Sequence, residues 1–116
     1  MDIKNFYKDQ TLFQNEVIKK FGYKELNKDD KLPIDNVSVS SYHLLALAEE
    51  VGELIKSDKR WKNFRNTHFD KQNKLEEIAD CFIVLMNVCI FSGVSAEEFE
   101  ESIMKKIKEN FERISL

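Results

Sequence analysis

The sequence predicts an all-α four-helix bundle, and three observations carry that prediction. Three glycines and one proline in 116 residues are too little turn material for a many-stranded β fold. Lys, Glu, Leu, Ile and Phe are abundant, a composition that favours helices. Apolar residues also recur at helical spacing in four separate stretches. A chain of this length is expected to form one domain, residues 1–116. Its 42% hydrophobic residues can build a core, and its 34% charged residues supply a polar surface.

The first helix is predicted from about Gln10 to Phe21, where Leu12, Phe13, Val17, Ile18 and Phe21 share one face and Gly22 ends the run. Tyr23 to Val39, with its charged KDDK stretch and Leu32-Pro33, reads as a loop of partly extended character. Ser38, Ser40 and Ser41 offer N-caps for a second helix reaching about Arg60. Lys62 to Phe69 breaks the pattern. Asp70 can cap a third helix that runs to Ser92 and stops at Gly93. Ser95 and Glu98 then make a capping box for a fourth helix through about Arg113.

The opening residues MDIKNFYKDQ are too polar for a signal or transit peptide. No apolar run approaches the roughly 20 residues of a membrane span. The expectation is a soluble cytoplasmic protein without a membrane partner. A formal charge of −3 lacks the basic footprint of a general nucleic-acid binder. Cys81 and Cys89 lie eight positions apart on one helix, roughly 12 Å along its axis, too far for a disulfide. His43 and His68 supply no zinc spacing with them.

From Cys81 to Phe91 the third helix reads CFIVLMNVCIF, apolar on every side except at Asn87. A helix that is hydrophobic all round must be enclosed all round. Three short partners from one chain can hardly do that, so a homodimer or homotetramer is expected.

The second helix carries an apolar stripe of Leu44, Leu47, Ala48, Val51, Leu54 and Ile55, with Glu49, Glu50 and Glu53 grouped beside it. Like charges at i, i+3 and i, i+4 repel. On the third helix, Leu75, Ile78, Phe82, Leu85, Met86 and Cys89 form the main stripe, and Glu77 and Asp80 lead a different line through Val84, Asn87 and Phe91. Unpaired charge at the edge of a buried helix is costly. A divalent cation between the two helices removes that cost. A site of carboxylates with no His or Cys suits a hard ion, Mg²⁺ or Mn²⁺. With 21 acidic residues, other clusters such as Glu97, Glu98, Glu100 and Glu101 read as solvated surface.

The segments ALAEEVGELIK, residues 46–56, and LEEIADCFIVL, residues 75–85, resemble the EExxE…ExxD signature of the MazG-like and dimeric dUTPase-like all-α NTP pyrophosphatases. The resemblance extends to Trp61 after the first motif and to a KxxxNxxR pattern at Lys106, Asn110 and Arg113. It implies Mg²⁺-dependent cleavage of a nucleoside triphosphate substrate between the α and β phosphates. It also implies metal ligation by Glu50, Glu53, Glu77 and Asp80, with Glu49 as the acid that assists the metal or activates water.

Beside the acids, Lys59, Arg60 and Lys62, with Lys56 and Arg65, form a basic cluster suited to phosphates, and Lys106, Asn110 and Arg113 share one face of the last helix. The competing reading is an ordinary solvated helix end. Trp61 can stack on a base or plug the core. Asn87 needs hydrogen-bond partners if buried, from a base, a sugar or a second subunit. The alternative function is a non-enzymatic helical module whose acidic groove holds a cation or basic partner.

Overall fold

The computed structural model describes residues 2–21, 37–62 and 68–115. Among the described residues there are four helices: α1, Ile3–Phe21; α2, Val37–Ser57; α3, Lys71–Ile90; and α4, Ala96–Ile114. This is the all-α four-helix architecture expected from composition and spacing. Most of the first predicted loop, with Leu32 and Pro33, and residues 63–67, with Arg65, lie outside the described residues.

The helix ends follow local chemistry. α1 starts at Ile3 instead of Gln10, because Asp2 caps it: the Lys4 amide donates to Asp2 Oδ1 at 2.9 Å. α2 begins at Val37, which places Ser38, Ser40 and Ser41 within the helix, where they cannot cap it. It ends at Ser57, three residues before Arg60, with the Ser57 hydroxyl donating back to the Leu54 carbonyl at 2.6 Å. Asp70 caps α3, accepting from the Asn73 amide at 3.2 Å. α3 stops at Ile90, and the chain reverses through Gly93 at φ 76°. There the Gly93 amide donates to Ile90 O at 3.2 Å and the Val94 amide to Cys89 O at 3.1 Å, the paired bonds of a Schellman turn. Ser95 and Glu98 form the expected capping box, with reciprocal bonds of 3.1 and 3.0 Å. Those bonds hold the Glu98 carboxyl below its usual range.

α2 and α3 run antiparallel and form the most extensive contact, while α1 packs on α3 and α4. The core of Tyr7, Met86, Ile90, Phe91, Ala96 and Phe99 sits where α1 meets the α3–α4 turn. Tyr7 is its pin: the hydroxyl donates to Val94 O at 2.5 Å, and the ring stacks on Phe99 at 4.6 Å. Burial pushes the Tyr7 phenol far above its ordinary titration range, with Cys89 and Glu98 adding to the shift.

The described residues leave much apolar surface exposed. The predicted apolar face of α1 turns largely outward, leaving Leu12, Phe13 and Phe21 exposed, and the buried face is Tyr7, Thr11, Gln14 and Asn15. The reason is what α1 meets: the Gln10 amide donates to Asn87 Oδ1 at 2.8 Å, so α1 presents polar groups to α3. On α2, Leu44, Val51 and Ile55 are exposed, as are Phe82, Ile83 and Leu85 on α3 and Met104, Ile107, Phe111 and Ile114 on α4.

Ser95→Ala removes one half of the capping box and is expected to lower stability by about 1 kcal/mol, read as a lower urea midpoint at unchanged slope.

Candidate functional site

The site grows from the α2–α3 pair. Glu49, Glu50 and Glu53 occupy one turn of α2, and Glu77 and Asp80 one turn of α3. Antiparallel packing brings the two turns together, so Glu50, Glu77 and Asp80 each offer a carboxylate oxygen within 4.8 Å of the other two. Glu50 and Glu77 are half-buried and Asp80 is exposed. Burial raises the Glu50 carboxyl above its ordinary range, and the charges of Asp80, Glu77, Glu49 and Glu53 add to the shift. The adjacent Cys81 thiol is raised by burial and then by Glu50, Glu77 and Asp80. Burial leads both shifts, and the clustered carboxylates add to each.

The triad fits a hard divalent ion. Octahedral Mg²⁺ takes oxygens at about 2.1 Å, so ligand oxygens lie at most about 4.2 Å apart, close to the 4.8 Å span of this cluster. Glu53 stands outside this closest group, exposed, with Lys56 Nζ 4.0 Å from its Oε1. Glu49 is exposed at the edge of the acidic turn.

Beyond the triad an open groove of about 660 Å³ lies between the end of α2 and the start of α3. Leu54, Ile55 and Ile78 line it with apolar surface, and Asp58, Arg60, Trp61 and Lys74 complete it. Leu54 follows Glu50 by one helical turn and Ile78 adjoins Glu77, so groove and carboxylates are neighbours along both helices. Trp61 is 63% exposed and lines this groove, so it is no core plug. Lys62 Nζ sits 5.3 Å from the Trp61 ring centroid, and Lys59 accepts the Lys62 amide at its carbonyl, closing the turn at 2.9 Å. Arg60 bonds Asp58 through two guanidinium nitrogens at 2.8 and 2.7 Å and lies 3.5 Å over the Phe69 ring.

The other end of α3 holds the amides. Asn87 is buried and accepts from Gln10. Nearby on α1, Gln14 is 6% exposed, and among the described residues neither its Oε1 nor His43 Nε2 on α2 has a hydrogen-bond partner. The His43 ring stacks on Phe91 at 5.1 Å, and burial lowers its pKa, favouring the neutral imidazole. Lys106, Asn110 and Arg113 are exposed on the outer half of α4, with Lys106 Nζ 3.2 Å from Glu109. α4 packs mainly on α1, so within one chain these three are not gathered with the α2–α3 carboxylates.

Sequence reasoning did not single out Asp58, Lys74, Gln10, Gln14 or His43. Two signals were available: Lys71 and Lys74 at the start of a helix with no acid in its first turn, and amides at Gln10 and Gln14 beside Thr11 on one helical face.

An all-α bundle that sets paired carboxylate motifs on adjacent helices is the arrangement implied by the resemblance to the all-α NTP pyrophosphatases. The chain belongs to that group through the dUTPase family, whose model matches residues 2–115. No curated protein and no solved structure matches it.

The raised Glu50 carboxyl fixes a pH response. Its folded form holds the proton more tightly than the unfolded chain, whose ordinary value is 4.5. The associated stability is present at low pH and is lost as pH rises through the folded value, above 4.5. In chelator, the wild-type unfolding midpoint should therefore fall across that window relative to Glu50→Gln, whose profile should be flatter.

Proposed function

We propose that the chain hydrolyses a (deoxy)nucleoside triphosphate to the monophosphate and pyrophosphate, clearing surplus or noncanonical nucleotides. The observation that carries the reading is the convergence of Glu50, Glu77 and Asp80 from two helices onto one point, in a chain of the dUTPase family. Glu50, Glu53, Glu77 and Asp80 would hold Mg²⁺ or Mn²⁺, with Glu53 swinging in from its exposed position. A bound Mg²⁺ neutralises phosphate oxygens and polarises the phosphoryl group.

The protein's own groups do the remaining work. Glu49 accepts a proton from the attacking water, whose oxygen bonds to the α phosphorus. The bond from that phosphorus to the bridging oxygen breaks, and the electron pair leaves on pyrophosphate. Charge then builds on the leaving group, where fixed cations stabilise it. Lys59, Arg60 and Lys62 supply such cations beside the groove, and Trp61 offers a face against which the nucleotide can pack. Asn87, with Gln10 bonded to it, offers amide groups to the base or sugar. These roles follow one order along the groove: cations from the turn after α2 beside the start of α3, acids at Glu77 and Asp80, amide at Asn87.

The exposed apolar residues of α2 and α3 support a homodimer or homotetramer in which a second copy covers Phe82, Ile83 and Leu85. Assembly would also bring Lys106, Asn110 and Arg113 of one subunit toward the phosphates of another. The alternative, a non-enzymatic helical module that binds a cation or a partner, is separated from this reading by turnover. The proposed location is the cytoplasm, with residues 1–116 acting as one domain.

The deciding experiment is a screen of common NTPs and dNTPs with Mg²⁺, scoring pyrophosphate separately from orthophosphate. Pyrophosphate release is expected, and Glu77→Gln should lower kcat/KM by about 100-fold or more; orthophosphate alone, or turnover indifferent to this change, would reject the reading. In a second experiment, Ile83→Glu combined with Leu85→Glu should convert the assembly to monomers in sedimentation equilibrium. A wild-type chain that stays monomeric at high concentration would exclude the subunit arrangement.

A further inference from the structure

The groove beside the triad has a cationic lip built around one carboxylate. Asp58 is the organiser. Its side chain is 15% exposed, against 55% for Arg60 and 36% for Lys74. Oδ1 accepts from the Arg60 amide at 3.2 Å and from Arg60 Nε at 2.8 Å. Oδ2 accepts from an Arg60 terminal nitrogen at 2.7 Å and from Lys74 Nζ at 3.0 Å. Four bonds fill the acceptor capacity of a carboxylate. The cations are far from filled: a guanidinium carries five N–H donors and an ammonium three, so most of theirs remain available. Two positive charges on one negative charge also leave the cluster net positive.

Lys74 is in an unusual place for a lysine. It lies in the opening turns of α3, a helix whose first turn contains no acid. The positive end of a helix disfavours a cation there. The Asp70 cap and, from outside the helix, Asp58 offset that penalty, and Asp58 holds Lys74 beside Arg60. The Phe69 ring, 3.5 Å from the Arg60 guanidinium and 5.7 Å from Lys74 Nζ, backs both groups. Along α3, Lys74 precedes Glu77 by three residues, about 4.5 Å of axial rise. A net-positive edge thus borders a net-negative triad within one helical turn. A polyphosphate whose charge is shared between a bound cation and fixed donors matches that polarity.

We propose that Asp58 is a positioning residue that gathers Lys74 and Arg60 into a two-cation lip, and that this lip takes the terminal phosphates, the pair that departs as pyrophosphate. The inference rests on the hydrolase reading and adds an orientation: the triphosphate tail points toward the start of α3, and the nucleoside toward Asn87. Lys74 and Arg60 donate hydrogen bonds to the departing oxygens and transfer no proton.

Product inhibition tests it. Lys74→Met should weaken inhibition by inorganic pyrophosphate about tenfold or more, with inhibition by the nucleoside monophosphate unchanged within about twofold. Lys74→Arg should restore the wild-type value. Asp58→Asn should weaken pyrophosphate inhibition in the same direction, since the cations lose their common anchor. A purely structural tie would shift the unfolding midpoint while both products inhibit as before, and that result overturns the proposal. Equal loss toward both products also overturns it. Should Lys74→Met not fold, Lys74→Gln serves the same comparison. Should the wild-type chain hydrolyse no nucleotide, the hydrolase reading fails; pyrophosphate binding by calorimetry with Mg²⁺ then reads the lip directly, and equal affinity in wild type and Lys74→Met rejects it.

Discussion

The structure depends on an electrostatic conflict between α2 and α3. Packing the two helices antiparallel brings Glu50, Glu77 and Asp80 within 4.8 Å of one another. Without an ion, that contact is repulsive in the half-buried setting of Glu50. Hydrophobic packing along the pair holds the charges together regardless. Burial raises the Glu50 carboxyl and the Cys81 thiol, and the crowded carboxylates add to both shifts. Like charge gathered at one place suits a cation, and the groove lies beside it.

Around the conflict, polarity is graded along α3. Lys74 and Arg60 share Asp58 at one end, three carboxylates stand in the middle, and Asn87 with Gln10 lies at the other end. This grading explains why α1 buries polar residues. A helix packed against Asn87 must bring hydrogen-bonding groups with it, since an amide left without partners in the interior costs about 1–3 kcal/mol. Thr11 solves the same problem locally, donating to the Tyr7 carbonyl at 2.8 Å.

Much of this was legible in the amino-acid sequence, for physical reasons. Caps are short-range, so Asp70 and the Ser95–Glu98 box announce their helices without reference to anything distant. The paired acids were readable because i, i+3 repulsion beside an apolar stripe has few structural explanations. The start of α1 was not readable, because Asp2 capping competes with no visible break before Gln10. The inward face of α1 was misjudged for a different reason. Apolar periodicity locates a hydrophobic stripe but not the surface that covers it, and here Leu12 and Phe13 remain exposed in the single chain. The lip around Asp58 escaped notice because it joins residues from both sides of a loop, and no spacing rule links them.

Tyr7 has a consequence that extends beyond the core it fills. Its hydroxyl on Val94 and its ring on Phe99 lock the rotation and the lengthwise position of α1 at the α3–α4 corner. Gln10 is three residues farther along the same helix, so its meeting with Asn87 inherits that setting. A slide of α1 by even one residue, about 1.5 Å, would carry the amide out of hydrogen-bonding range. The alignment of a polar contact is thereby delegated to an aromatic anchor one turn away, and packing changes at Phe99 propagate to the amides without touching them.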